Sequence, residues 1–382
     1  MKPVYLDYAA TTPVDARVIA RMLEFLGEDA QFGNPASRSH GYGWLAEEGV
    51  ETARRQVADV LHCDVREVVW TSGATESNNL AIKGAAFANR ERGRHLITAT
   101  SEHKAVLDCF RWLETKGFDV TWLAPQADGR VDPAALSAAL REDTTLVSLM
   151  HANNETGVIN DIAALGQLCR DNGTLFHVDA AQSAGKLLLD LSQLPVDLLS
   201  LSAHKFYGPK GVGVLYVRRH PDVRIEAQMH GGGHERGLRS GTLPSHQVVG
   251  LGEALMLASQ SMDEDSLRIG ALRNQLWEGI ADLPGVQLNG HPTQRLPGHL
   301  NVAFTGLDGD LLITALNQIA ISSGSACTSA SVEPSHVLTA MGLSREHALS
   351  SLRISIGRQT TAAQISMTIS HLSSVLDALR RR

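Results

Sequence analysis

Cysteine is scarce in this chain: four in 382 residues, at positions 63, 109, 169 and 327, with no Cys-x-x-Cys pair. That usage fits neither a disulfide framework nor a zinc site, and reduced thiols are expected. An excess of positive charge is also lacking. With a formal net charge of -7 and an isoelectric point near 6.1, no overall field draws the chain toward nucleic acid or an anionic membrane, and no direct nucleic-acid partner is expected. No apolar run approaches the roughly 20 residues that span a bilayer, and Met1 through Asp7 lacks the apolar core of a signal peptide. The expectation is a cytoplasmic protein without membrane contact. No Gly-x-x-x-x-Gly-Lys-Ser/Thr string occurs, which removes the main support for nucleotide hydrolysis. Lysine is sparse too, at positions 2, 83, 104, 116, 186, 205 and 210 only, so each one can be weighed individually.

What is present is a globular mixture. Hydrophobic residues make up 43% and charged residues 20%, with a mean hydropathy of -0.08, values of a folded chain rather than a disordered one. The length exceeds one compact domain and points to a large domain plus a smaller one. From about residue 50 to 220, short β-rich runs at 67–70, 95–98, 119–123, 145–149, 175–179 and 196–200 alternate with helical stretches. These runs are continuously apolar rather than two-faced, so an α/β fold with a mostly parallel sheet between helices is expected, its functional groups gathered where strands end. After about residue 250 a long helical stretch, Gly250 to Trp277 and beyond, leads into shorter elements at 286–288 and 300–304, where a second domain begins. The small polar run Ser322 through Ser331, around Cys327, reads as a loop.

Three strand ends carry groups that belong together. The run 67–70 leads into Thr71-Ser72-Gly73-Ala74-Thr75-Glu76-Ser77-Asn78, where a helix N-terminus can close on a phosphate; a simple N-cap is the competing reading. The run 175–179 ends in Asp179, suited either to keep a ring nitrogen protonated or to serve as a helix cap. The run 196–200 leads into Ser202-Ala203-His204-Lys205, a lysine in the setting of a Schiff-base nucleophile. A phosphate cradle, a ring-nitrogen acid and an amine are together what pyridoxal phosphate requires. His103, after another strand, is suited to stack on the ring and move protons. Cys327 stands among glycine and serine and suits a thiolate nucleophile, whereas Cys63, Cys109 and Cys169 lie in helical or apolar contexts and are expected to be inert. Arg353, alternating with apolar residues over 351–355, suits bidentate capture of a carboxylate or an interdomain ion pair. His230-Gly231-Gly232-Gly233-His234 has no further ligands nearby, and no metal is expected; these glycines shape a loop that presents Arg239, Ser240 and Thr242 to another surface.

The strings Tyr5 through Pro13, Phe32 through Ser37, Thr71 through Ser77, His204-Lys205 with Tyr207 through Gly211, Arg239 through Thr242, and Ser322 through Ser331 resemble those of the bacterial housekeeping cysteine desulfurases. These are the iron–sulfur and nitrogen-fixation branch of the class V aminotransferases, and the resemblance runs over nearly the whole chain. It implies a fold-type I pyridoxal-phosphate transferase, with a large domain over 15–258 and a small domain made of 1–14 with 259–382 that carries the cysteine loop at about 320–332. It implies that Lys205 carries the cofactor, Asp179 pairs with the pyridine nitrogen, Gln182 contacts the ring hydroxyl and His103 stacks on the ring. Thr75, Ser202, His204 and the Ala74 backbone bind the phosphate, joined by Thr242 across a homodimer; Asn154, also a cofactor contact, holds the substrate carboxylate with Arg353. L-Cysteine is the implied substrate. Lys205 moves the α-proton, Cys327 takes the sulfur as a persulfide, alanine leaves, and the sulfur passes to a protein acceptor, either an iron–sulfur scaffold or a dedicated sulfur-modification protein. The family's longer C-terminal tail, which helps dock the scaffold, has no counterpart after Arg382, so docking in that manner is not expected, and a dedicated desulfurase like those serving DNA phosphorothioation systems stands beside the scaffold reading. The alternatives are another class V pyridoxal enzyme, an aminotransferase or selenocysteine lyase, and a non-catalytic docking subunit.

Overall fold

The computed structural model describes residues 2–323 and 333–381. The main sheet has seven strands in the order Val68–Thr71, Gly213–Val217, Leu198–Ser202, Leu175–Asp179, Thr144–Met150, His95–Ala99 and Asp119–Leu123. The last five run parallel, and Gly213–Val217 is antiparallel to both of its neighbours. The sheet is thus the mostly parallel one expected, with strand limits shifted by up to two residues. The run expected from 67 begins at Val68, because Asp64 caps a 3-10 turn that extends through Glu67. The strand Gly213–Val217, a short apolar string behind a glycine-rich turn, is not among those anticipated.

Successive residues of a strand point to opposite faces, and here both faces are covered. Val69, Leu96, Leu146, Leu175 and Leu198 pack with helices Ala74–Ala88 and Lys104–Glu114. Val68, Ile97, Val147, Phe176 and Leu199 pack on the other side with helices Gly41–Leu61, Ile162–Asp171 and Ser245–Gln260. Two-sided burial is why these strands read as unbroken apolar runs.

A second core surrounds the antiparallel sheet Ser322–Ser323, Ser351–Ser355, His299–Phe304 and Val286–Leu288. Helices Met262–Ile280 and Ala362–Arg380 cover it, through Leu272, Leu276, Leu372 and Leu376. The long helix expected from Gly250 past Trp277 is two helices that meet at Ser261, whose hydroxyl donates to Leu257 O and to Asp265 Oδ2. Asp263, Glu264 and Asp265 then supply an acidic first turn suited to a new helix N-terminus. Val4–Tyr5 pairs in parallel with Ile319–Ala320, and Val4 and Leu6 belong to this second core. From there the chain crosses to the main sheet, where Thr12 N donates to His204 O at 2.9 Å.

One buried ion pair fastens the segment after the main sheet to its first strand. Arg54 donates to both oxygens of Glu235 at 2.9 Å, and Glu235 Oε2 also accepts from Trp70 N at 2.9 Å. Both side chains are buried. Removing Glu235 leaves the buried Arg54 charge with only the exposed Glu51 carboxylate, at 3.0 Å from Nε, so Glu235→Ala is expected to lower the unfolding free energy by about 3 kcal/mol in a urea titration. The apolar pair Arg54→Met with Glu235→Leu is expected to recover most of that loss.

Candidate active site

Two adjacent parallel strands, Leu175–Asp179 and Leu198–Ser202, bring the central groups together. Asp179 closes the first; the second runs through the 3-10 turn Ala203–Lys205 to Lys205. The buried Asp179 carboxylate is held by two donors: Asn78 Nδ2 to Oδ2 at 2.8 Å and Ala181 N to Oδ1 at 2.9 Å. Lys205 Nζ donates to Ala9 O at 2.7 Å and Ala10 O at 2.9 Å. Burial, reinforced by the positive charge of Arg353, brings this amine down to about 8 although Asp179 and Asp7 oppose the shift.

Beside them the helix Ala74–Ala88 begins at Gly73, whose φ of 145° is glycine's territory, and no side chain caps it. The N-cap alternative therefore fails, and the helix presents uncapped N–H groups. A Cβ at Gly73 would stand 3.5 Å from Ser202 Oγ, so that hydroxyl faces the turn. His204 Nδ1 pairs with Thr11 Oγ1 at 3.1 Å; burial, with Lys205 and Lys210 adding, takes the imidazole down to about 4 and keeps it neutral. Thr75 is exposed and lines an open cleft over the turn with Ser72, Glu76 and Arg239. Arg239 Nε donates to Glu76 Oε1 at 2.8 Å within its own chain. Thr242 is exposed and does not line the cleft.

His103 caps the helix Lys104–Glu114, its Nδ1 accepting from Ala105 N at 3.1 Å, which leaves the ring proton on Nε2. Protein packed around the ring lowers its pKa, with Asp179 opposing and Lys205 adding, while part of the residue stays open to solvent. At the far side, Arg353 on the strand Ser351–Ser355 donates to Asp7 Oδ1 at 2.8 Å and to Asn154 O at 3.1 Å. The ion pair joins Arg353 to a residue assigned to the same small domain, so it is not the interdomain pair expected, and among the described residues its buried Nε has no partner. Asn154 Oδ1 and Gln182 Oε1 are likewise buried without partners among the described residues, and Gln182 Nε2 donates to Ala9 O at 2.9 Å.

Cys327, the expected nucleophile, lies outside the described residues, as does most of the expected loop. The other three thiols are held in their protonated form: burial pushes Cys63 up to about 12 and Cys109 to about 11, and raises Cys169 as well.

Several participants went unread in the sequence. Asn78 had a signal, as a polar residue on a helix face otherwise made of Ala74, Ala81 and Ala85. The Ala9 and Ala10 carbonyls had none, because they act through the backbone. Glu102 accepts from Met150 N at 2.9 Å, and complete burial holds its carboxyl well above the usual range. Glu155 accepts from the Ser335 hydroxyl and is pushed by burial to about 7. Lys186, whose buried amine has no partner among the described residues, is brought down by burial to about 7.

The donor set fits pyridoxal phosphate. An uncapped helix N-terminus with the Ser202 hydroxyl beside it suits the phosphate, and a doubly held carboxylate suits a protonated ring nitrogen. The orphaned Gln182 oxygen suits the ring hydroxyl, and an amine near 8 suits covalent attachment.

The chain is similar to known proteins over nearly its whole length. The aminotransferase class V family matches residues 4–367. Cysteine desulfurase IscS of Salmonella arizonae is 59% identical over 378 residues, covering 99% of this chain and 94% of that protein. A solved NifS-like protein has a TM-score of 0.92 at 38% identity, covering 99% of this chain and all of the other (100%). A structure of SspA in complex with cysteine has a TM-score of 0.83 at 39% identity, covering 94% of this chain and 100% of that one. The chain belongs to the class V aminotransferase family and, within it, to the pyridoxal-phosphate-dependent cysteine desulfurases.

Proposed function

We propose that this chain removes sulfur from L-cysteine, giving L-alanine and a persulfide on Cys327. The observation that carries the reading is the pairing, on adjacent strand ends, of a Lys205 amine near 8 with a doubly held Asp179 carboxylate. Ala74, Thr75, Ser202 and His204 would hold the phosphate, Asp179 the ring nitrogen and Gln182 the ring hydroxyl, while His103 would stack on the ring and Asn154 would contact both cofactor and substrate. Bound pyridoxal phosphate supplies an electron sink for bonds broken at the substrate α-carbon. Arg353 receives the substrate carboxylate through donors that Asp7 and Asn154 leave unused. Lys205 Nζ, as the neutral amine, takes the proton from the α-carbon. His103, neutral and fixed as the Nε2–H tautomer, is suited to donate a proton. The Cys327 thiolate attacks the substrate sulfur: a sulfur–sulfur bond forms, the carbon–sulfur bond breaks, and the carbon skeleton leaves as alanine.

The division into 15–258 and 1–14 with 259–382 is supported by the two separate cores and by the pairing of Val4–Tyr5 with Ile319–Ala320. A homodimer is supported by exposed Leu23, Leu26, Phe32, Tyr42 and Trp44, an apolar set on one stretch of chain, and Thr242 would then serve the partner's phosphate site. The sulfur acceptor is a protein, an iron–sulfur assembly scaffold being the reading that full-length similarity to IscS supports. Among the described residues no helix is long and apolar enough to cross a membrane.

With L-cysteine and a reductant, the loaded protein is expected to release sulfide and alanine in equal amounts. Cys327→Ala should lose turnover by at least ~100-fold while keeping the visible absorbance of the lysine-bound cofactor; undiminished turnover in that variant would remove the persulfide step. Because the free amine is the nucleophile and lies near 8, covalent loading of cofactor-free protein should quicken about tenfold per pH unit below that value and level off above it. Borohydride reduction and mass analysis at each pH would track the loading, with Lys205→Arg as the variant that takes up none.

A further inference from the structure

The Asp7 carboxylate joins two parts of the site that are far apart in sequence. Its Oδ1 accepts from the Arg353 guanidinium at 2.8 Å, and its Oδ2 accepts from Ser322 Oγ at 2.9 Å. Both contacts are largely shielded from solvent, with Arg353 11% and Asp7 17% exposed. The backbone of Asp7 is fixed as well, by a parallel bridge to Ser355 on the Arg353 strand. Asn154 O takes a hydrogen from the other terminal nitrogen of Arg353 at 3.1 Å. The guanidinium is therefore gripped at both ends of its fork, yet its buried Nε–H has no acceptor among the described residues. An N–H donor left bare in a shielded place costs free energy unless a ligand meets it. A long, rotamer-rich arginine otherwise loses conformational freedom each time it captures a ligand.

We infer that Asp7 is a positioning residue for the substrate carboxylate. It fixes the Arg353 fork in advance, so that the vacant Nε edge is ready for the carboxylate and little ordering cost remains at binding. Ser322 holds the second Asp7 oxygen and so sets the carboxylate's own rotation. This inference rests on the proposal that Arg353 receives the substrate carboxylate. It gives the N-terminal Tyr5-Leu6-Asp7 string a task in substrate recognition, separate from the Ala9 and Ala10 carbonyls that meet Lys205.

The test is an absorbance titration of cofactor-loaded protein with L-alanine, which carries the carboxylate, and with ethylamine, which lacks it. Asp7→Ala should weaken L-alanine binding about tenfold and leave ethylamine unchanged. It should also raise KM for L-cysteine by a similar factor with kcat within about threefold. Asp7→Asn, which keeps an acceptor oxygen, should recover most of the loss. Should Asp7→Ala not fold, as judged by its thermal unfolding, Asp7→Ser carries the same expectation. Wild-type affinity for L-alanine in the variant, or equal weakening for L-alanine and ethylamine, overturns the inference. Arg353→Ala separates the two layers. If it loses L-alanine affinity while Asp7→Ala does not, only the positioning role falls; if it too binds L-alanine like wild type, the carboxylate role of Arg353 and the inference fall together.

Discussion

Burial of the seven-stranded sheet on both faces constrains everything else in the molecule. A polar side chain inside such a sheet finds its partners on neighbouring strands, as His177 shows. His177 bonds Ser148 Oγ at 2.8 Å on one neighbouring strand and Ser200 Oγ at 2.9 Å on the other, and burial takes it down to about 4, so the ring stays neutral. Groups meant for a ligand have only the strand ends left. Asp179 and Lys205 stand at two such ends, and the glycine turn at Gly73 comes directly after a third.

The electrostatics of the site arise from that enclosure. Burial lowers both Lys205 and Lys186; Arg353 adds to the shift of each and Lys205 to that of Lys186, while Asp179 and Asp7 oppose the shift of Lys205. Around neutral pH the two amines thus lie near the boundary between charged and neutral, where protons move at little cost. The carboxyls of Glu102 and Glu155 are displaced upward by the same burial, so the carboxylate paired with Arg353 is that of Asp7.

Much of this was legible in the sequence. Continuous apolar runs identified the parallel strands because two-sided burial erases alternation, and the chemistry at their ends could be read from Asp179, Lys205 and the Thr71 through Asn78 turn. The long helix was misjudged because helical periodicity continues through Ser261, where a hydroxyl and an acidic first turn start a new axis. The strand Gly213–Val217 escaped because its antiparallel course breaks the expected alternation. Backbone acceptors such as Ala9 O carry no side-chain signature at all. Asp7 could be noticed as part of a string, but its partners lie more than three hundred residues away, a distance that no local pattern spans.

That separation shapes how the protein is made. The short pairing of Val4–Tyr5 with Ile319–Ala320, and the bonds from Asp7 to Ser322 and Arg353, are among the most nonlocal contacts a chain of this length can form. Closing such a loop is slow and must await nearly the whole polypeptide. The main sheet can assemble as it leaves the ribosome, with the Lys205 amine lacking its Ala9 and Ala10 acceptors until the first residues made return to lie across it. The first segment synthesised is therefore among the last to settle, and the site comes into being only when the chain is nearly complete.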